Sequence, residues 1–329
     1  SWRDVSAGVF ATDSLGVALD PADPAHILFS STAGLTGTSR VFESLDAGAG
    51  WSIVDSLDAH DVLCLALDPE DALHILAGTF RRGVLRSTAG SPGPWTLSLD
   101  RPVAVRGIVF EPHDPERVYV YTDAFAAQTP PEHAGLYVSA DGGASWTRRL
   151  DFGVMDVAAH PDRPAELVAA SGDLLATTDR FQTITSLGLA TAAPDELFTA
   201  IAFDPGAPAT LLAGTASGAL WLTNNYRPEG GCTWQPLPSP AQGVVITDLE
   251  IVPTKAGTAW YAAAFMGDVV FERGHTPGVL RSEDLGQTWT FLEEGLYPSR
   301  LTWSLTPIPG AGTSLLVGMW GGGLLRLDD

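Results

Sequence analysis

SLDAGAGW at Ser44–Trp51, SADGGASW at Ser139–Trp146 and SEDLGQTW at Ser282–Trp289 share one pattern, S-x-D-x-G-x-x-W, and each follows an apolar, strand-like run. The residue types explain one another. Ser and Asp side chains bond nearby backbone groups in a turn, Gly supplies a positive φ without steric cost, and Trp is expected to re-enter the core as the anchor of the next strand. Three copies of one turn make the chain a repeat protein.

A second marker recurs upstream of each copy, as in VALDPADPAHILFS from Val17, LALDPEDALHILAGT from Leu65 and IAFDPGAPATLLAGT from Ile201. Its turn prolines are Pro21, Pro69, Pro112, Pro161, Pro205, Pro253 and Pro309, spaced by 48, 43, 49, 44, 48 and 56 residues. Seven units at roughly 40–50 residues match the period of propeller blades. Within a unit one strand precedes the proline and a second follows it. A third, such as GVLRS, leads into the turn, and a fourth opens at the Trp, which makes a four-stranded antiparallel blade.

Four units carry eroded turns: Ser87–Trp95, Thr177–Ile184, Thr223–Trp234 with an insertion, and the last, where LLRLDD stops inside the motif. Ser1 and Trp2 read as the end of another copy. Trp2–Val5 is therefore expected to pair with Leu324–Leu327 and complete the seventh blade, leaving no open edge. The expected architecture is all-β: one seven-bladed β-propeller domain over residues 1–329, its last blade closed by the N-terminal strand.

Acidic residues outnumber basic ones 39 to 18, a formal charge of −21, which argues against nucleic acid and anionic membranes as partners. No run of 18 apolar residues is present, so no membrane span is expected. Cys64 and Cys232 lie in different repeats with no metal-ligand spacing, so neither a disulfide nor a metal is expected, and no cofactor motif is seen.

The turns, together with the D-P…LLAGT…GVLRS frame, resemble the Asp-box, or BNR-repeat, propeller superfamily over essentially the whole chain. That superfamily includes sialidases, xyloglucan-active glycoside hydrolases, sortilin-type receptor ectodomains and photosystem II assembly-factor propellers. The resemblance implies the fold, because the box is a structural turn. A sialidase is not implied: no Arg-Ile-Pro occurs, and Arg101-Pro102, Arg163-Pro164 and Arg227-Pro228 lack the Ile. Xyloglucan-active enzymes pair two propellers and carry an Asp in the first blade, where this chain has SSTAGLTGTSR, Ser30–Arg40, without a carboxylate. Assembly-factor propellers match in size and blade number, but the basic surface patch of that group is not evident in so acidic a chain.

Aligning the seven first strands gives the column Gly16, Cys64, Gly107, Asp156, Ala200, Asp248 and Ser304. Small residues suit a crowded inner position. Asp156 and Asp248 depart from that pattern, and Glu250 shares a strand face with Asp248. These carboxylates are candidates for hydrogen-bond acceptors, a cation site, or the paired acids of glycoside hydrolysis.

Two loops between second and third strands are long, Asp123–Gly135 and Phe265–Gly278, and hold His133 and His275 beside Glu132 and Glu272. Phe80, Arg81, Arg82, Tyr297, Arg300, Trp303 and Trp320 are expected on the same end, where aromatic faces and guanidinium groups suit a peptide or a sugar. The leading expectation is an exported (extracellular or periplasmic), non-enzymatic binding or scaffold module for a protein or glycan. A glycoside hydrolase using the inner carboxylates is the alternative, and a structural subunit of a larger assembly the second.

Overall fold

The computed structural model describes residues 2–6, 9, 13–32, 39–54, 57, 61–122, 129–239, 243–254, 257–266, 278–292, 301–310, 312–320 and 322–328. Short strands alternate with turns throughout. The chain opens with β1 (Trp2–Asp4), and the first sheet then pairs β2 (Asp13–Leu19), β3 (Ile27–Thr32), β4 (Arg40–Ser44) and β5 (Ser52–Ile53). The second holds β6 (Val62–Leu67), β7 (Ile75–Thr79), β8 (Val84–Ser87) and β9 (Thr96–Leu99); the third holds β10 (Val105–Glu111), β11 (Asp114–Thr122), β12 (Gly135–Ser139) and β13 (Thr147–Leu150). The fourth holds β14 (Asp156–Ala159), β15 (Leu167–Ala170), β16 (Leu174–Thr177) and β17 (Thr185–Ser186), followed by a single helical turn, α1 (Leu189–Ala192).

The fifth sheet contains β18 (Phe198–Phe203), β19 (Leu211–Thr215), β20 (Leu220–Thr223) and β21 (Gln235–Leu237). The sixth contains β22 (Val244–Thr254), β23 (Gly257–Met266), β24 (Gly278–Ser282) and β25 (Thr290–Phe291). The last runs β26 (Leu301–Pro307), β27 (Leu315–Trp320), β28 (Gly323–Leu327) and then β1, so the N-terminal strand supplies its fourth member. Seven four-stranded antiparallel sheets define an all-β, seven-bladed β-propeller fold.

The chain divides into two compact units. One comprises Ser1–Arg3, Met155–Leu315 and Leu327–Asp329, the other Asp4–Val154 and Leu316–Arg326. Each has its own apolar layers. In the second unit Leu28, Leu67, Ile75 and Ala77 form one cluster, and Leu76, Val105, Val118 and Val120 another. In the first unit, Leu212, Ile246, Trp260 and Leu280 pack together.

The S-x-D-x-G-x-x-W turns are closed by their own side chains. The Ser44 hydroxyl donates to Asp46 Oδ1 (2.8 Å) and accepts from the Gly48 N–H (2.9 Å), while the Gly50 N–H donates to the same Oδ1 (2.8 Å). Ser139 with Asp141, and Ser282 with Asp284, repeat the set. Donors from Thr288 and Ser282 hold the Asp284 carboxyl down at about 2.

One turn that reads as eroded is complete. Thr177 Oγ1 donates to Asp179 Oδ1 (2.9 Å) and accepts from the Phe181 N–H (2.9 Å), although Phe181 must hold φ at 60° where the other copies have Gly. In the insertion-bearing copy, Asn225 takes the Asp role, accepting from Thr223 and from the Thr233 N–H. Only Ser87–Trp95, with Ala89 in the Asp position, lacks that acceptor among the described copies.

The motif Trp residues are half-buried, and Trp95, Trp146, Trp234 and Trp289 pack against the apolar clusters as anchors of their strands. Their indole N–H groups need an acceptor; Trp95 and Trp289 find one in their own turns, at the Ser91 (3.0 Å) and Gly286 (3.2 Å) carbonyls, and the other four find one three residues past the equivalent position of the preceding sheet. Trp51 donates to the Val5 carbonyl (2.6 Å), Trp146 to Ser98 Oγ (3.2 Å) and Trp234 to the Leu187 carbonyl (3.0 Å). Trp2 donates to the Leu292 carbonyl (2.8 Å) in the same way, as the motif Trp of the seventh sheet. Ring and edge are thus satisfied together.

Candidate functional site

In five first strands the register shifts at or just before the aligned column, between Ser14 and Val17, Val62 and Cys64, Val105 and Gly107, Phe198 and Ala200, and Ile246 and Asp248. A bulge re-aims side chains toward a neighbour. Thr199 Oγ1 donates to the Ile246 carbonyl (2.6 Å), and Thr247 Oγ1 to the Thr302 carbonyl (3.1 Å). Gly16 is required by crowding, since a Cβ there would lie 2.6 Å from the Cys64 Cα.

Asp156 and Asp248 use the same position differently. Asp156 Oδ1 accepts from the Val157 N–H (2.8 Å) and Oδ2 from the Ile201 N–H of the next sheet (2.8 Å). Asp248 Oδ1 accepts from the Leu249 N–H (2.8 Å) and Oδ2 from the Leu305 N–H on β26 (2.7 Å). Each carboxylate staples one first strand to the following one. Two acceptor oxygens meet two backbone donors, an arrangement that suits an ionised carboxylate.

Glu250 lies two residues on, half-buried, and takes no such role. Burial pushes its carboxyl well above the ordinary range, and the charges of Asp248 and then Asp156 push it further. The three sequence candidates are therefore within electrostatic reach of one another, with Glu250 favoured in its neutral form. Because the folded state holds this proton where the unfolded chain has released it, stability falls as pH rises through the ordinary carboxylate range toward the raised value. Glu250→Gln is expected to raise Tm at pH 7 by about 2–4 °C, the shift of roughly 1 kcal/mol in a large domain, with no gain at pH 4. Paired thermal melts at the two pH values check it.

The other candidates separate. Arg81 and Arg82 crown the β7–β8 turn, both exposed. Thr79 Oγ1 donates to the Gly83 carbonyl (2.9 Å) and accepts from the Arg82 N–H (2.9 Å), the Phe80 N–H donates to the Asp61 carbonyl (2.9 Å), and the Arg81 guanidinium lies 5.4 Å from the Phe80 ring centre. Gly83 holds φ at 76°, and a side chain there would overlap the Leu99 carbonyl, so this turn packs directly on the β9–β10 connection that carries Arg101.

His133 is half-buried in the end of its loop. The Tyr137 hydroxyl donates to its carbonyl (2.7 Å), and Arg148 donates to the Glu132 and Ala134 carbonyls. Burial raises the Tyr137 phenol while Arg148 and Arg101 oppose the rise, which places both guanidinium groups near it. Arg101 and Arg148 were not singled out from sequence, because only strand pairing brings them to this end. Among the described residues Arg81, Arg82 and Arg101 have no carboxylate partner.

Trp303 is half-buried and meets Phe265 edge to face, with centroids 5.7 Å apart. For Trp320 only the strand position is described, opposite Asp13 in the β2–β27 pairing. His275, Tyr297 and Arg300, with Glu272, lie outside the described residues. Cys64 and Cys232 are free thiols, and burial raises Cys64 to about 12. Among the described residues no three His, Cys, Asp or Glu side chains are placed to hold a metal ion, and no helix is long and apolar enough to cross a membrane.

The fold and its inner staples define a seven-bladed β-propeller, and solved structures share that class. YCF48 from Cyanidioschyzon merolae is similar at 16% identity and a TM-score of 0.67, covering 99% of this chain and 98% of its own. YCF48 bound to D1 peptide is similar at 17% identity and a TM-score of 0.67, covering 100% and 96%. An ancestral GH74 enzyme reaches a TM-score of 0.70 at 17% identity, but the chain covers 96% of itself and only 45% of that enzyme. At these identities the likeness shows the fold. No family model matches the sequence, and no curated protein matches it.

Proposed function

We propose that this chain is a non-enzymatic binding propeller of the Asp-box type, folded as one exported domain, that takes a carboxylate-bearing protein segment on the turn carrying Phe80, Arg81 and Arg82. The observation that carries this reading is the set of exposed guanidinium groups, Arg81, Arg82 and Arg101, without carboxylate partners among the described residues in a chain of charge −21. A planar guanidinium pairs bidentately with a carboxylate, and the Phe80 ring beside Arg81 offers an apolar face. The rigid turn limits the ordering cost of binding. Two further features support it. Neighbours of nearly the same length are single propellers, one of them holding a peptide, and the staples at Asp156 and Asp248 occupy two carboxylates that a hydrolase would need.

The test is binding of acidic and sequence-scrambled neutral peptides by calorimetry. The double charge reversal Arg81→Glu with Arg82→Glu is expected to weaken acidic-peptide binding by at least about tenfold and to leave Tm unchanged, since both side chains are exposed. Absence of acidic-peptide binding, or binding indifferent to the reversal, overturns the reading. A second reading, glycoside hydrolysis, is favoured by Glu250 alone, whose carboxyl is pushed well above the ordinary range, the direction a general acid needs. Turnover of a glycan library that disappears in Glu250→Gln would establish it.

A further inference from the structure

The residues that close the first hairpin are Asp20 and His26, the Asp20 N–H donating to the His26 carbonyl (3.1 Å). Both side chains are buried, at 6% and 8% exposure. His26 Nε2 lies 2.9 Å from Glu43 Oε1 on β4, and His26 Nδ1 lies 3.8 Å from Asp20 Oδ2. The second Glu43 oxygen accepts from the Ser91 hydroxyl (2.5 Å), and Ser91, 2% exposed, belongs to the β8–β9 turn of the second sheet.

Equivalent hairpins lack this combination. The second has Asp68 and His74 at 2.8 Å, but Arg86 replaces Glu43 and donates to the Gly142 carbonyl (2.8 Å). The fourth reverses the pair as His160 and Glu166, with Arg163 bonded to Glu166 (2.9 Å). Among the described residues only His26 sits between two carboxylates.

We propose that Asp20, His26, Glu43 and Ser91 form a proton-operated latch between the first and second sheets, closed while His26 carries its proton and released as the solution becomes alkaline. The charge balance is the reason. With His26 protonated, one imidazolium serves the buried Asp20 and the half-buried Glu43 and leaves Glu43 oriented toward Ser91. Without the proton, Asp20 and Glu43 remain as two negative charges around a neutral ring, and Asp23 on the hairpin turn, whose carbonyl accepts the His26 N–H (2.9 Å), adds no cation. Ser91, the contribution of the second sheet, is neutral.

The shifts agree with the geometry. The Glu43 bond raises His26 above its ordinary 6.5 against the opposing effect of burial, and the His26 bond holds Glu43 below its ordinary 4.5. A raised imidazole stabilises fully below the unfolded value and loses that contribution as pH rises through the folded one. A depressed carboxyl stabilises above its unfolded value and loses that contribution as pH falls through the folded one. The latch is therefore closed between the lowered Glu43 value and the raised His26 value, and opens as pH rises through the latter.

Hydrogen exchange of the segment 87–95, corrected for intrinsic rates and followed from pH 5.5 to 9, tests the latch beside the imidazole titration of His26 by NMR. In the wild-type chain protection of this segment is expected to fall about tenfold per unit of retained shift once the ring deprotonates. His26→Gln should give low protection at every pH. Ser91→Ala, which leaves the His26–Glu43 pair intact, should also give low protection without a pH slope while His26 still titrates above its ordinary value. A His26 that titrates at or below 6.5, flat wild-type protection, or a slope surviving either substitution overturns the proposal.

Discussion

Replacing Trp2–Val5 by a flexible Gly/Ser segment is expected to cost about 3–5 kcal/mol, comparable to deleting a large core side chain, and to promote association through the seventh sheet. The segment is short but densely used. β1 pairs with β28, the Val5 N–H donates to the Leu324 carbonyl (3.1 Å), and the Leu324 N–H donates to Ser6 Oγ (3.1 Å) just beyond it. Val5 is 3% exposed, and its carbonyl accepts the Trp51 indole N–H (2.6 Å). Trp2 donates its own indole N–H to the Leu292 carbonyl (2.8 Å). A Gly/Ser segment keeps the backbone groups but loses the buried Val5 side chain and the Trp2 indole bond and costs more entropy to order, so β28 is left as a weakly covered edge, the template for pairing with another chain. Thermal melts and sedimentation velocity read both consequences. An unchanged Tm with a monodisperse monomer would show that the seventh sheet does not need this strand.

Asp248→Ala is expected to cost about 1–3 kcal/mol, the penalty for leaving a backbone donor without its acceptor away from water. The Leu305 N–H loses its 2.7 Å bond to Oδ2, and the Leu249 N–H its 2.8 Å bond to Oδ1. Asparagine does not rescue the site, because its single acceptor oxygen serves one N–H while its amide group faces the other. Asp156→Ala should behave alike through Val157 and Ile201. Urea denaturation measures both, with the midpoint lowered and the m-value unchanged. A wild-type midpoint in Asp248→Asn would mean that the staple carries no stability and would return the carboxylate to the list of chemically available groups.

Reading the first strands in sequence isolated Asp156, Asp248 and Glu250 as exceptions in a column of small residues, and all three are unusual in the structure. Their roles were not legible. A carboxylate that accepts two backbone bonds and one whose proton affinity is raised by burial look identical in a one-dimensional pattern, and the difference lies in which N–H groups the neighbouring strand presents. The same limit applies to TTDRFQTI at Thr177–Ile184. Its Phe181 reads as a lost glycine, yet the Thr177–Asp179 bonds and the neighbouring backbone hold the turn in its full form. The loop-end arginines divide likewise: Arg81 and Arg82 announce themselves as a pair in a tight turn, whereas Arg101 and Arg148 join them only through packing.

What the sequence determined by itself was the repeat: the turn chemistry, the strand order within each unit, the number of units and the assignment of Trp2–Val5 to the last of them. Those properties are local, set by side chains bonding backbone within a few residues and by the period-two alternation of strands. Tertiary structure alone decided the half-burial of the motif tryptophans, the stapling of successive first strands by Asp156 and Asp248, the raised proton affinity of Glu250 and the pairing of His26 with two carboxylates. The staples depend on partners tens of residues away, Ile201 for Asp156 and Leu305 for Asp248, brought into hydrogen-bond reach where one first strand packs on the next, whereas His26 meets Asp20 and Glu43 through strand pairing inside one sheet.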